Sequence, residues 1–559
     1  MNNCRECGIT IAVHLNDQKI LDYFDAPAPT LCATHSLQRR LAWRNERHLY
    51  KRTCELCTKD ILAMYSPRSY AHVYCHECWY SDGWDPLSYG RPYDSSRSFH
   101  DQIANLLRDV PHFNLFQIGE SSNSQYCNFM YNSRDSYLSF SNVRSEGSLY
   151  CKNADDSRDC TDCFGVTNSE LLYDCVSVKD SYRSVFLTRS EKCSECYLGR
   201  DLQDCQNCFG CVNLRHKQWY WFNELIGEQE YNARLAEALK NRSSFEEQLK
   251  KFEKFSLRLP CEFGTIRSSE DAVGTSLYNS QNIRNSFFIN NSENCGDCFR
   301  LIWHSKDNYR ASYGATVEGS FSSIALPFTS YAVGSFLSEH CSFISYCAFC
   351  QNTDNALGCV ALRKKKFCIL NTQYSEDEYA SLTSKIIQDM KDRGEWGEFL
   401  SPSYSQHGYN ETLAHEYFPI SKEEAAAKGW QWQDEQKGAR GRETISLEKI
   451  PDASDHVDES FTREILACAE CGANFKIIKK ELARLTLFHI PIPHSCPDCR
   501  FTLRSRRSFI PFLYHRACMC AENHTFHADR SCSTEFETTY RPDGKDIVYC
   551  HPCYQELMS

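Results

Sequence analysis

Every sixth residue from Ser121 falls in a row of small side chains: Ser121, Cys127, Ser133, Ser139, Ser145, Cys151, Ser157 and Cys163, then Ser169, Cys175, Ser181, Leu187, Cys193, Gly199, Cys205 and Cys211. Leu187 alone in this row is not small. The position before it is often Asn or Asp, as at Asn132, Asp156, Asp162, Asn168, Asp174, Asp180 and Asp204. Three residues after it runs a second small or apolar row, including Met130, Cys160, Val166, Leu172, Val178, Cys196, Leu202 and Cys208. A period of six cannot be an α-helix, whose period is 3.6. It predicts a β-solenoid of short strands and bends, with Asn and Asp at the bends and small residues letting the coils stack.

The row recurs as Ser280, Ser286, Ser292 and Cys298, slips in phase, and resumes as Ser323, Thr329, Ser335, Cys341, Cys347, Thr353 and Cys359. The two stretches end alike, in Gly210-Cys211-Val212-Asn213-Leu214-Arg215 and Gly358-Cys359-Val360-Ala361-Leu362-Arg363, each followed by a strand and a helix. Helices over 228–255 and 375–393 are expected to cap the open ends. Cys160/Cys163, Cys193/Cys196, Cys205/Cys208, Cys295/Cys298 and Cys347/Cys350 resemble metal knuckles but lie on the inward rows. Buried packing and internal metal binding are both open for them.

The chain ends carry a different pattern, and it is duplicated. Cys4, Cys7, Cys32 and His35 map onto Cys468, Cys471, Cys496 and Cys499 at a constant offset of 464. A His standing where the copy has Cys points to zinc, since both supply a donor at similar reach while a disulfide has no use for His. The offset carries on through Leu49, Tyr50, Arg52 and Cys54 to Leu513, Tyr514, Arg516 and Cys518. Cys54, Cys57, Cys75 and Cys78 have zinc-ribbon spacing, and the expected counterpart is Cys518, Cys520, Cys550 and Cys553, with a shortened first knuckle and a longer loop. Cys532, His524 or His527 are alternatives for one ligand there. About four structural zinc ions follow, each in a closed four-ligand site, in modules that need metal to fold.

These patterns divide the chain into a zinc-finger pair (1–92), a connecting helix (93–120), a first solenoid segment with cap helix (121–259), and a second with cap helix and C-terminal extension (260–433). A polar linker (434–460) and a second zinc-finger pair (461–559) complete it. The fold class is mainly β. The 34 cysteines among 559 residues fit thiolate ligation in a reducing, cytoplasmic setting, because the start MNNCRECGITIAV lacks a signal-peptide pattern and no apolar run is long enough to span a membrane.

A formal charge of −11 argues against wholesale wrapping by nucleic acid. Local basic segments nevertheless follow each first knuckle: Arg39, Arg40, Arg44, Arg47, Lys51 and Arg52, and Arg500, Arg504, Arg506, Arg507 and Arg516. With Trp43, Tyr50 and Phe509 for stacking, they are candidate contacts for nucleic acid, RNA rather than DNA; the alternative is that they pair with acidic surfaces of the solenoid or of a protein partner. The expected function is a non-enzymatic, zinc-stabilised scaffold contacting nucleic acid through its fingers. A protein–protein scaffold without nucleic acid and a solenoid-based enzyme are the alternatives, the last without a phosphate loop, nucleophile elbow or His-Glu-x-x-His motif.

The segments CATHSLQRRLAWRNERHLYKRTCELC, SYAHVYCHECWYSDGWDPLSYGRPYD, CFGCVNLRHKQWYWFN and GYNETLAHEYFPISKEEAAAKGW resemble a family of cysteine-rich zinc-ribbon proteins found mainly in bacteria with reduced genomes. The resemblance spans most of the chain and implies no established activity. His35 and the Cys518-x-Cys520 spacing depart from the family's usual cysteines. The fingers also resemble treble-clef modules of ribosomal proteins, an analogy of fold alone.

Overall fold

The computed structural model describes residues 2–434, 438–524, 527 and 531–558. Its regular structure is mostly β, and most strand pairings are parallel. After a first rung thirteen residues apart, Gln117 with Met130, the chain from 122 to 221 pairs with itself twelve residues further on, Ser122 with Arg134, Gln125 with Tyr137, and so on to Gln203 with Arg215. Left-handed φ recurs at every third residue, for example Asn132, Asp135, Leu138, Ser141 and Arg144. Each turn of this first winding therefore has four sides of three residues. The six-residue period is half a turn, and the second small row is the neighbouring inward position.

Backbone hydrogen bonding explains why the inward rows are serine and cysteine. On each side one residue donates its N–H to the next turn (Gln125 to the Ser136 carbonyl, 3.0 Å), and the left-handed one donates to the previous turn (Leu138 to the Gln125 carbonyl, 3.1 Å). Where Ser, Thr, Cys or Asn stands twelve residues earlier, its side chain meets the inward residue's N–H. Ser145 donates to Ser133 Oγ, Ser157 to Ser145 Oγ, and Cys193 to Ser181 Oγ, at 3.0–3.1 Å. Each hydroxyl passes its own proton to a carbonyl, Ser133 Oγ to Tyr131 at 3.0 Å. Thiols repeat the arrangement: Cys151 Sγ donates to the Leu149 carbonyl at 3.4 Å, and Cys127 Sγ accepts from Ser139 N–H at 3.4 Å. A buried N–H without an acceptor costs about 1–3 kcal/mol, so the inward position selects a small side chain that also accepts. Leu187 is accommodated because Gly199 lies one turn on. A Cβ there would come within 2.7 Å of Leu187 and 2.6 Å of Leu202.

The second winding, 266–369, follows the same scheme with two irregularities: its first rungs pair eleven residues apart, as Glu270 with Gln281, until the register shifts between Ala272 and Gly274, and a later rung is one residue longer. Glu293 pairs with Lys306 and Cys295 with Asn308, thirteen residues apart, where Trp303 and His304 are both left-handed (φ 57° and 59°). This single added residue is the phase slip in the sequence. Both windings close on an antiparallel hairpin whose asparagine completes a last rung: Asn223 bonds both the N–H and C=O of Val212, and Asn371 does the same for Val360. The expected helix over 228–255 is two helices, Glu228–Ala238 and Arg242–Ser256, because the Asn241 side chain accepts from Ser244 N–H and starts a new one. The other cap is the helix Glu376–Asp392. Within the stretch read as a linker, Ile450 is buried in the cluster around Phe488 and Ile490. The first part of that stretch, 435–437, lies outside the described residues.

The finger pairs lie crosswise on the windings. Val73–Tyr74 of the N-terminal pair runs parallel to His112–Phe113 at the start of the first winding, while its helix Ala33–Leu41 packs on Lys306–Ala315 and Glu318–Ile324 of the second. Val548–Tyr549 of the C-terminal pair runs beside Cys261–Glu262 at the start of the second winding. Its helix Pro497–Ser505 faces the first, with Phe501 6.2 Å from Phe164. The windings also meet directly, through Arg300 and Asp155 at 2.9 Å and Arg144 over Trp303 at 4.2 Å.

Candidate metal centres and basic segments

Three of the four modules are built by one local rule. A tight knuckle is closed by a left-handed residue, Gly8, Thr58 or Gly472, whose N–H donates to the carbonyl of Cys4, Cys54 or Cys468 at 2.7–2.9 Å. The second half begins at a helix N-terminus, with Cys32, Cys75 and Cys496 at the cap positions of Ala33–Leu41, His76–Trp79 and Pro497–Ser505. The positive end of a helix favours a thiolate there. One backbone bond hooks the halves together in all four modules: Arg5 to Thr30, Glu55 to Val73, Ala469 to His494 and Met519 to Val548, at 2.9–3.0 Å.

The side chains converge as ligand sets. Cys4, Cys7, Cys32 and His35 form one, Cys54, Cys57, Cys75 and Cys78 a second, and Cys468, Cys471, Cys496 and Cys499 a third, with donor atoms in each within 4.8 Å of one another. Cys57–Cys75 and Cys471–Cys496 are 3.8 Å apart, Cys7–Cys32 3.9 Å, and His35 Nδ1 stands 3.3 Å from Cys32 and 3.6 Å from Cys4. A tetrahedral ion with Zn–S bonds of about 2.3 Å separates its sulfurs by about 3.8 Å, so these residues fit the ion. Disulfides need about 2.05 Å, and all 34 cysteines are free thiols. Burial raises the Cys4 and Cys54 thiol pKa values, but backbone N–H donors outweigh it and bring both down to about 6, towards the ligating thiolate.

The fourth set corrects the expected one. Cys518, Cys550 and Cys553 are joined by Cys532 rather than Cys520, with Cys532 and Cys550 3.8 Å apart. The hairpins explain it. Tyr50 pairs with Ala63 and Tyr514 with Thr538; the first partners are 464 residues apart and the second 475, so eleven residues are added inside the knuckle. Cys532 is the counterpart of Cys57. The knuckle is interrupted rather than shortened, and the following loop keeps its length, Cys57 to Cys75 and Cys532 to Cys550 both spanning 18 residues. That repeated spacing was the available signal. Cys520 lies instead with His524, His527 and Cys553.

Among the described residues, every group of three or more converging donors lies in the end modules. The winding cysteines point inward and donate to carbonyls two residues earlier, as Cys205 does to Gln203 and Cys347 to Ser345. Burial pushes the Cys127 and Cys341 thiols up to about 12. These cysteines pack.

The basic segments turn mostly inward. Arg40, fully buried, donates to Ser36 and Ser312 hydroxyls. Arg44 pairs with Glu46 at 2.6 Å between the rings of Phe129 and Tyr313. Arg39 reaches the Leu400 carbonyl and Glu398, Arg47 stacks on Phe501 at 3.3 Å and pairs with Asp498, and Arg52 pairs with Glu55. In the second copy Arg500 joins Asp162 and Glu481, Arg504 joins Asp162 and Asp174, and Arg507 joins Asp174. Arg516 donates to the Arg541 and Asp546 carbonyls. Lys51 and Arg506 are the exposed members. The expected stacking residues are engaged too: Trp43 is buried against Phe336, Phe509 stacks on Phe288, and Tyr50 bonds Glu411. Nine of the eleven basic residues thus serve internal contacts. The acids and carbonyls that several of them meet lie hundreds of positions away in the chain, beyond the reach of local pattern.

No helix among the described residues is long and apolar enough to cross a membrane. No family model matches the chain, and neither does any curated protein. Among solved structures it is similar to a UDP-N-acetylglucosamine acyltransferase from Campylobacter jejuni at 8% identity, over 56% of this chain and 99% of that one. With a TM-score of 0.09, that likeness carries no argument about fold or activity.

Proposed function

We propose that the protein is a zinc-stabilised scaffold in which two zinc-finger pairs clamp two β-solenoids with helical caps. Zinc suits the sets because soft thiolates in tetrahedral spacing select it, and four protein donors per ion leave no open position for catalysis. A reducing compartment such as the cytoplasm belongs to this reading, since the ligands work as thiolates. So does membership of the cysteine-rich zinc-ribbon family named above, which adds no activity to it.

The observation that carries the proposal is that the finger helices turn their basic residues onto the chain's own windings, Arg500, Arg504 and Arg507 onto Asp162 and Asp174 above all. The fingers act as internal braces, which favours a protein–protein scaffold over a nucleic-acid reader. Fluorescence anisotropy of the full chain with single-stranded RNA and duplex DNA at low salt tests this. Negligible binding is expected. Tight, salt-dependent binding that disappears in Lys51→Ala/Arg506→Ala would return the nucleic-acid reading.

A further inference from the structure

We infer that the C-terminal ribbon holds two zinc ions bridged by the Cys553 thiolate, where its N-terminal copy holds one. The inference rests on the zinc reading of the four sets. Its starting point is the eleven-residue addition between Cys518 and Cys532, which the N-terminal ribbon lacks. In that addition stand Cys520, His524 and His527, and their donor atoms lie within 4.8 Å of one another and of Cys553 Sγ. Cys520 Sγ is 3.0 Å from His524 Nε2, and His527 Nε2 is 3.2 Å from Cys553 Sγ. Backbone bonds in both directions between His524 and His527, at 3.1 and 3.2 Å, hold the two imidazoles side by side.

Cys553 also belongs to the set with Cys518, Cys532 and Cys550. It is therefore the one donor common to two complete four-ligand sets, and a thiolate has lone pairs for both ions. Charge supports sharing. One divalent ion among four thiolates leaves a net −2, whereas two ions among the five thiolates and two neutral imidazoles leave −1. The second set, two sulfurs and two nitrogens, is a common structural zinc environment and is closed. Cys553 lies in the first turn of the helix His551–Met558, whose positive end favours the anion that both ions share.

Zinc per chain, measured by mass spectrometry on dialysed full-length protein, tests the proposal. Five ions are expected, falling to four in His524→Ala/His527→Ala. Because the N-terminal ribbon is built without this loop, that variant is expected to keep its fold, checked by circular dichroism. Cys553→Ser is expected to release two ions where Cys78→Ser releases one. Four ions in the unaltered protein, unchanged in the histidine variant, would overturn the bridged pair and leave the scaffold reading standing. Five ions that stay five in that variant would also overturn it, by placing the extra ion elsewhere. Fewer than four would overturn both.

Discussion

The helices Ala33–Leu41 and Pro497–Ser505 start from equivalent cysteines and lie on opposite windings, yet the matching arginines Arg40 and Arg504 are compensated differently. Arg504 sits between the carboxylates of Asp162 and Asp174, at 2.7 and 3.7 Å. Arg40 finds two hydroxyls and the Asp297 carbonyl, because the Asp297 carboxylate goes to Arg310. Burial, and then the charge of Arg310, push its pKa down to about 9. Duplication kept the place of the side chain in the seam between finger and winding, but not its electrostatics. A shared position therefore does not mean a shared energetic contribution.

The largest expected effect separates fingers from windings. A structural zinc site contributes on the order of 10 kcal/mol to folding, so a strong chelator at neutral pH should unfold the end modules. Hydrogen exchange should lose protection over 4–78 and 468–553 while 127–211 stays protected. Equal loss in both would break the distinction. Next comes the arginine pair itself. Arg504→Met leaves buried carboxylates undercompensated and should cost about 3–5 kcal/mol, whereas Arg40→Met removes a buried charge without a carboxylate of its own and should stay within about 1 kcal/mol. Thermal midpoints of the two variants decide, and equal shifts would refute the contrast.

Within the first winding, Gly199→Ala should cost about 1–3 kcal/mol by pressing on Leu187 and Leu202, and a second change, Leu187→Ala, should recover part of it. Failure of that rescue would show the glycine is needed for another reason. The extension after the second winding carries an acid sensitivity. His407, buried against Tyr65, has its pKa lowered to about 3 by burial, from an ordinary 6.5. The unfolded chain takes up this proton as pH falls through 6.5, while the folded one resists until about 3. Stability is thus complete above 6.5 and falls by about 1.4 kcal/mol per pH unit below it. His100 and His112, buried likewise with pKa values lowered to about 3, add to the same trend, so His407→Phe should reduce the slope of melts between pH 7 and 5.5 by about a third. The smallest expected effect is Ser145→Cys, below about 1 kcal/mol because the thiol keeps both roles, against about 1–3 for Ser145→Ala. Similar losses for the two would argue against the inward-acceptor rule.

Three of the candidate metal-ligand sets were legible in sequence because such a set is assembled from short knuckles with fixed local spacing. The exchange of His35 for Cys499 pointed to metal without any structure. The small-residue rows were legible for a related reason, since each inward position answers the same stacking demand. In the fourth set Cys532, one of the alternatives the sequence left open, stands where Cys520 was first placed, because an insertion inside a knuckle leaves a cysteine near the expected position while the counterpart of Cys57 moves away along the chain. For the arginines the sequence left two readings, an outside contact or pairing with acids of the solenoid, and nothing near Arg504 in sequence announces Asp162 as its partner.

By itself the sequence determined the duplication, the repeat and most of the candidate metal ligands, since each is written in residue spacings that recur along the chain. Tertiary structure decided the rest: that a turn takes twelve residues on four sides, that the finger pairs cross between windings, and that basic residues face inward. The physical reason is that burial and pairing depend on which distant surfaces meet. A backbone N–H turned inside a narrow coil, or a guanidinium laid over a remote carboxylate, acquires its partner only when those surfaces come together.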